Sequence, residues 1–239
     1  IVDILNNDIY ILVEEYHDPI KRGRISRLIV DKESYELKQK DTVLELSTHL
    51  SFPAILRKGN KIFIYPENSA SGKLVMYEYD YINNICTNHQ TLSNIPLTDA
   101  IITNIANEQY IISTQLPHPN SNILGKYSSD NLIQEFIFDS KIARNAGDWF
   151  EYNNKLYRPA QDCNKTYGGA VIIQEVTAVN NTLQFKNIRR IESTHSIYNE
   201  GLHTFNIYKN LIVIDAKGYK HPMAHKLYKF IENIIKYIR

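Results

Sequence analysis

The sequence predicts an all-β protein, a five-bladed β-propeller with a short C-terminal helix. Three observations predict it. One unit recurs five times, about fifty residues apart: a turn with Asn, Gly or Glu, a short apolar-aromatic strand, then a polar or acidic residue. Each copy is flanked by enough strand-like sequence to make about four antiparallel strands, the content of one blade. Seventeen Tyr against one Trp, with many Ile and Asn, suits strands joined by polar turns. A β-sandwich is the rival architecture, but it gives no reason for the unit to recur. Radial closure also removes the sheet edges that would otherwise seed aggregation.

The copies read NNDIYILVEE (6–15), GNKIFIYPE (59–67), NEQYIIST (107–114), NNKLYRPAQD (153–162) and KNLIVID (209–215). An apolar stretch precedes four of them: HLSFPAIL (49–56), DAIITNI (99–105), AGDWFEY (146–152) and GLHTFNIY (201–208). These are the expected innermost strands. Outer strands are expected at GRISRLIVD (23–31), YELKQKDTVLEL (35–46), GKLVMYEYD (72–80), GKYSSD (125–130), NLIQEFIF (131–138) and GGAVIIQEV (168–176). The propeller is thus assigned to residues 1–218, with its first and last units incomplete, and a helical tail to 219–239. In that tail HKLYKFIENIIKYIR (225–239) sets Leu227, Phe230, Ile231, Ile234 and Ile238 at helical spacing. The chain opens on IVDIL without an initiator Met, which suggests that further sequence lies upstream.

Lys plus Arg is 27 and Asp plus Glu 26, a formal net charge of +1, so no global field steers the chain to nucleic acid. Two cysteines, Cys86 and Cys163, form neither a disulfide framework nor a metal cluster. As reduced thiols they suit a cytoplasmic protein, and no apolar run is long enough to be a transmembrane segment. HExxH, paired CxxC, His-x-His and phosphate-loop patterns are all missing, so neither a metal nor another cofactor is expected.

The densest functional stretch is YRPAQDCNKTYGGA (157–170), which sets Arg158, Gln161, Asp162, Cys163 and Tyr167 between two strands. A strand connection needs only a short polar turn, and binding groups concentrate on loops held by a rigid scaffold. The bland alternative is a surface turn in which Asp162 and Asn164 bond their own backbone. The propeller favours the functional reading. Its innermost strands would present His49, Asp99, Arg144 and His203 to the central channel. The ends of the second strands would add Glu14, Glu67, Gln161, Asp162 and Asp215. Tyr10, Tyr65, Tyr157 and Tyr167 could offer faces for sugar rings. Singly each has an ordinary role: a structural His, a solvated acid, an Arg paired with Asp148 or Asp162. Recurrence at corresponding blade positions raises them above it.

The motifs HLSFPAILRKGNKIFIYPENSASGKLVMYEY, YRPAQDCNKTYGGAVIIQEV and GLHTFN…VIDAKGY resemble a known family. It is the five-bladed propeller domain at the N-terminus of plant glucosamine inositolphosphorylceramide transferases, also found in bacterial proteins of polysaccharide biosynthesis and beside formyltransferase-like modules. Its architecture is similar to that of furanosidase-type glycoside hydrolases. The resemblance runs through all five units, and His49, Glu67, Arg144, Arg158, Gln161, Asp162, Tyr167 and His203 fall on its motifs. Asp99 falls on a D-P-T motif in which Ala100 and Ile101 replace the last two residues. The family's first inner strand carries an Asp-Pro that would fall before Ile1.

The resemblance implies a carbohydrate-active propeller that binds a glycan or sugar nucleotide at the channel mouth and cleaves or transfers a glycosyl group. A glycosidase of this kind uses two carboxylates. Asp99 or Asp162 would be the base and Glu67 the acid, while Arg144 and Arg158 would hold a carboxylate or phosphate of the substrate. His49, Gln161, Tyr167, His203 and Asp215 complete the expected binding set. The alternative is a noncatalytic binding or scaffolding module that serves a transferase domain or partner protein.

Overall fold

The computed structural model describes residues 1–105, 108–115, 122–180, 182–219 and 221. Its first blade is β1 (Asp3–Leu5), β2 (Asp8–His17), β3 (Arg22–Asp31) and β4 (Leu37–Leu44). The second is β5 (Ser51–Lys58), β6 (Lys61–Glu67), β7 (Leu74–Asp80) and β8 (Ile85–Ser93). The third is β9 (Leu97–Ile105), β10 (Glu108–Gln115), β11 (Ile123–Ser128) and β12 (Asn131–Ile137). The fourth is β13 (Phe150–Tyr152), β14 (Lys155–Asp162), β15 (Ala170–Val179) and β16 (Thr182–Ile191). A last sheet holds only β17 (Phe205–Tyr208) and β18 (Leu211–Ile214). Neighbours in sequence are neighbours in each sheet, and every paired ladder is antiparallel.

The structure therefore shows an all-β propeller of four blades, not the expected five. The fifth copy of the repeat folds as a hairpin: β18 pairs with β17, and beyond it the described chain adds only the isolated bridge Gly201–Lys217. A copy of the sequence unit supplies the second strand of a sheet, but a blade also needs two outer strands. The expected C-terminal helix at 225–239 lies outside the described residues. Among the described residues no helix is long and apolar enough to cross a membrane.

The core lies between blades rather than within them. Val2, Leu12 and Ile25 pack against Leu50, Ile64 and Tyr79 between the first and second blades. Ala54, Tyr65 and Met76 meet Leu97, Ile101 and Tyr127 between the second and third. Ile105, Tyr110, Ile112 and Leu124 meet Val176 and Leu183 between the third and fourth. Val171 and Ile173 meet Leu202 and Phe205 between the fourth and the last sheet. Alternation along each strand gives both faces of a sheet apolar residues, so a blade is covered only when flanked on both sides. The hairpin meets the first blade through Asp3, which accepts hydrogen bonds from Tyr208 (3.0 Å) and Lys209 (3.2 Å). Tyr81 of the second blade donates to the same carboxylate at 2.7 Å.

Two expected elements differ in detail. Residues 146–149 are irregular, because Gly147 holds φ +156° and leaves no room for a Cβ beside the Phe205 carbonyl. The strand β14 runs to Asp162, so Arg158, Gln161 and Asp162 are strand residues and the turn is confined to the residues after them.

Candidate functional site

A cavity of about 540 Å³ opens on the axis of the ring. All five sheets line it: Glu14 and Tyr16 on β2, Phe52 on β5, Asp99 on β9, Gln161 on β14, and His203 and Asp215 beside the last hairpin. Arg144 and Asp148, from the segment between β12 and β13, and Tyr167, from the β14–β15 turn, complete its polar and aromatic wall.

Asp99 is the hub. It is 2 % exposed and sits in a bulge of β9 with φ +47°, a left-handed conformation that Asp tolerates better than most residues. Arg144 Nε donates to its Oδ2 at 2.5 Å and Gln161 Nε2 to the same oxygen at 2.8 Å. Asn145 Nδ2 donates to its carbonyl at 2.8 Å, and its own N–H donates to Glu67 Oε2 at 2.9 Å. Strain held at a site by surrounding bonds is common where geometry serves function. The Arg144 guanidinium also lies 4.9 Å from the centre of the Tyr167 ring.

A second cluster faces it. His203 Nδ1 pairs with Asp215 Oδ2, and Asp215 Oδ1 accepts the His203 and Thr204 N–H groups at 2.9 and 2.7 Å. The Tyr167 ring meets the His203 ring edge-on at 5.5 Å. Gly168 makes that approach feasible: its φ is +60°, and a Cβ there would sit 2.6 Å from His203 Cβ.

The structure thus brings Asp99, Arg144, Gln161, Tyr167, His203 and Asp215 together around one cavity. The other expected site residues are placed elsewhere. Glu67 lies behind Asp99 and does not line the cavity. His49 precedes β5; its Nδ1 accepts the Gly23 N–H at 2.8 Å and its Nε2 lies 3.4 Å from Glu14 Oε1, so it backs the wall. Asp162 is held by Arg190 at 2.8 Å and by Asn164, outside the cavity.

Arg158 is fully buried and its donors serve the protein itself. They reach Asn145 Oδ1 at 2.8 Å, Gln174 Oε1 at 2.6 Å, the Ile142 carbonyl at 3.2 Å and the Ala143 carbonyl. Phe138 and Phe185 cover it. An arginine so enclosed cannot grip a substrate anion. It fixes instead the segment that carries Arg144.

Of the four tyrosines expected to face sugars, only Tyr167 lines the cavity. Tyr10 packs edge-on against Tyr81, Tyr65 is 1 % exposed, and Tyr157 stacks on Phe150. Tyr16, Phe52 and Asp148 escaped the sequence reading. Period two along β2 could have found Tyr16, two residues beyond Glu14 and so on the same face. Phe52 was hidden by register. The ladders shift at Phe52 (φ +41°) as they do at Asp99, so Phe52 and not His49 is the structural counterpart of Asp99.

Carboxylates of the cavity region are poised differently. Burial, reinforced by the charge of Asp99, pushes Glu67 up to about 8. Burial pushes Asp148 up to about 6 and also raises Glu14. Asp215 and Asp162 go the other way: burial is outweighed by His203 at the first and by Arg190 and Asn164 at the second.

These shifts set a stability optimum. Glu67 and Asp148 bind protons in the folded state that the unfolded chain has lost, between the ordinary carboxylate range and about 8 or 6 respectively, so stability falls as pH rises through those windows. Glu15, through Lys40, and Asp3, whose hydrogen bonds from Tyr81 and Tyr208 outweigh burial, are held down to about 2. Their contribution is lost as pH falls below about 4. The thermal midpoint is therefore expected to peak near pH 5 and to decline towards pH 8. A midpoint that climbs steadily over that interval in a calorimetric pH series would contradict the assignment.

The comparisons decide the family. A family model described as "Glucosamine inositolphosphorylceramide transferase 1, N-terminal" matches residues 2–210. The chain belongs to that family. Among curated relatives, the glucosamine inositolphosphorylceramide transferase 1 of Oryza sativa subsp. indica is 26 % identical over 147 residues, 56 % of this chain and 20 % of that protein. The Arabidopsis thaliana protein of the same name is 26 % identical over 146 residues, 56 % of this chain and 19 % of its own length. This family member thus spans about a fifth of the curated relatives it matches. Among solved structures it is similar to an α-L-arabinofuranosidase from Clostridium thermocellum, with a TM-score of 0.53 at 13 % identity, covering 94 % of this chain and 82 % of that one. At that identity the likeness concerns the fold.

Proposed function

We propose that the axial cavity is a carbohydrate-binding site and that the chain acts as a glycan-recognition module within a larger glycosyl-transferring system. The observation that carries this reading is the convergence of Asp99, Arg144, Gln161, Tyr167 and His203 from three sheets onto one concavity. Planar aromatic faces beside fixed polar groups are what a sugar ring needs, and a pocket of this size accepts one or two sugar units. Membership of a family named for a glycosyl transferase supports the same class of ligand.

Glycosidic bond cleavage is the second reading, favoured by one observation. Glu14 and Asp99 both line the cavity, and burial raises Glu14 towards a proton-donating form while Asp99 stays paired with Arg144. Glu67, the expected acid, and Asp162, one of the two expected bases, are not among the lining residues, whereas Asp99, the other expected base, is.

Titration of glycans and sugar nucleotides against wild type, Tyr167→Ala and Asp99→Asn tests both readings. Binding by wild type, weakened about threefold to tenfold in Tyr167→Ala, is the expected result. Turnover lost in Asp99→Asn with binding retained would establish an enzyme. Failure of every sugar to bind would end the carbohydrate reading.

A further inference from the structure

The charge balance of the cavity narrows the ligand. Among the described residues, the lining side chains carry four carboxylates, Glu14, Asp99, Asp148 and Asp215, against one guanidinium, Arg144, and one imidazole, His203. Both cationic groups are already engaged: Arg144 with Asp99 at 2.5 Å, and His203 with Asp215. That leaves Glu14 and Asp148 as the wall's unbalanced charges. Apart from the Ile1 amino group, which acts on Asp148 from the cavity wall, their further countercharges lie outside the lining. His49 stands 3.4 Å from Glu14, and Arg57, beside Asp148, spends donors on the Ile1 and Val2 carbonyls.

A phosphate or carboxylate entering this space would meet like charge, and each of the two side-chain cations it could approach already has a carboxylate beside it. A hydroxyl meets the opposite situation, since a carboxylate accepts up to four hydrogen bonds. The apolar complement is present too. Tyr16 (57 % exposed), Tyr167 (43 % exposed) and Phe52 border the same cavity and offer ring faces to the C–H side of a sugar.

We propose that the cavity takes an uncharged sugar unit and rejects sugars that carry phosphate or carboxylate, sugar nucleotides included. This rests on the carbohydrate reading above and chooses between its two ligand classes. Repulsion, as much as attraction, then sets the specificity. In a glycosyl-transferring system the site would hold an acceptor glycan, or a neutral product, rather than the activated donor.

The test is calorimetric titration of neutral arabinose-, galactose- and glucose-based oligosaccharides, UDP-glucose and GDP-mannose into wild type and the Glu14→Gln/Asp148→Asn double variant. A neutral oligosaccharide is expected to bind wild type with little dependence on NaCl, and the nucleotide sugars about a hundredfold more weakly or not at all. The double variant should narrow that gap by about tenfold. Should it fail to fold, salt on wild type gives an independent reading: added NaCl screens the repulsion and should strengthen nucleotide-sugar binding. A nucleotide sugar that binds wild type as tightly as any neutral oligosaccharide, competes with it and is weakened by salt overturns the inference while leaving the carbohydrate reading intact. If neither class binds, both fall.

Discussion

Arg158→Met is expected to destabilise the protein by about 4 kcal/mol and to lower Tm by about 10 °C. Methionine roughly fills the space but strands four acceptors: Asn145 Oδ1, Gln174 Oε1 and the carbonyls of Ile142 and Ala143. Each buried acceptor left without a donor costs about 1–3 kcal/mol. Burial alone holds the Arg158 guanidinium down at about 9, and no carboxylate touches it, so the charge itself is a liability. Its value lies in the fork of donors. Arg158→Lys, which keeps a charge but offers one nitrogen, should therefore be destabilised nearly as much. Thermal unfolding followed by circular dichroism decides it, and a Tm close to wild type in Arg158→Met would refute the role.

Asp99→Ala is expected to destabilise by about 3–5 kcal/mol, because it leaves the largely buried Arg144 guanidinium without its carboxylate. Alanine also bears the left-handed backbone worse than aspartate does, adding about 1 kcal/mol. Asp99→Asn also removes the countercharge but keeps an acceptor for Arg144 and tolerates φ +47°, so its loss should be smaller than alanine's. It carries a sharper signature. With the charge gone, Glu67 is pushed up by burial alone and its carboxyl titrates lower. The decline in Tm between pH 5 and pH 8 should then flatten relative to wild type. An unchanged decline would mean that Asp99 does not act on Glu67.

Much of this architecture was legible in the chain. The recurring unit located β2, β6, β10, β14 and β18, because turn-type residues, a short apolar-aromatic run and a polar end recur together at each second strand. The number of blades was not legible, since Leu211–Ile214 carries the same local pattern whether or not outer strands follow. Of the expected site residues, Asp99, Arg144, Gln161, Tyr167, His203 and Asp215 line one cavity. Spacing misplaced Arg158, because a guanidinium bonded to carbonyls and one bonded to a ligand look alike in sequence. It misplaced His49 because a bulge at Phe52 shifts the register, and a one-residue shift exchanges the faces of a strand. Phe52 and Asp148 join the cavity only through ring closure, which no local pattern encodes, whereas Tyr16 follows from period two along β2.

Asp99 links three blades at once: its amide reaches Glu67 of the second, while its carbonyl and carboxylate receive groups of the fourth. An amide within a strand ladder can open when its own sheet frays. This one is released when the Glu67 carboxylate of the second blade moves away from Asp99 of the third. Its hydrogen-exchange rate therefore reports on that contact between blades, and a ligand seated in the cavity would be read as a slowing of that single proton.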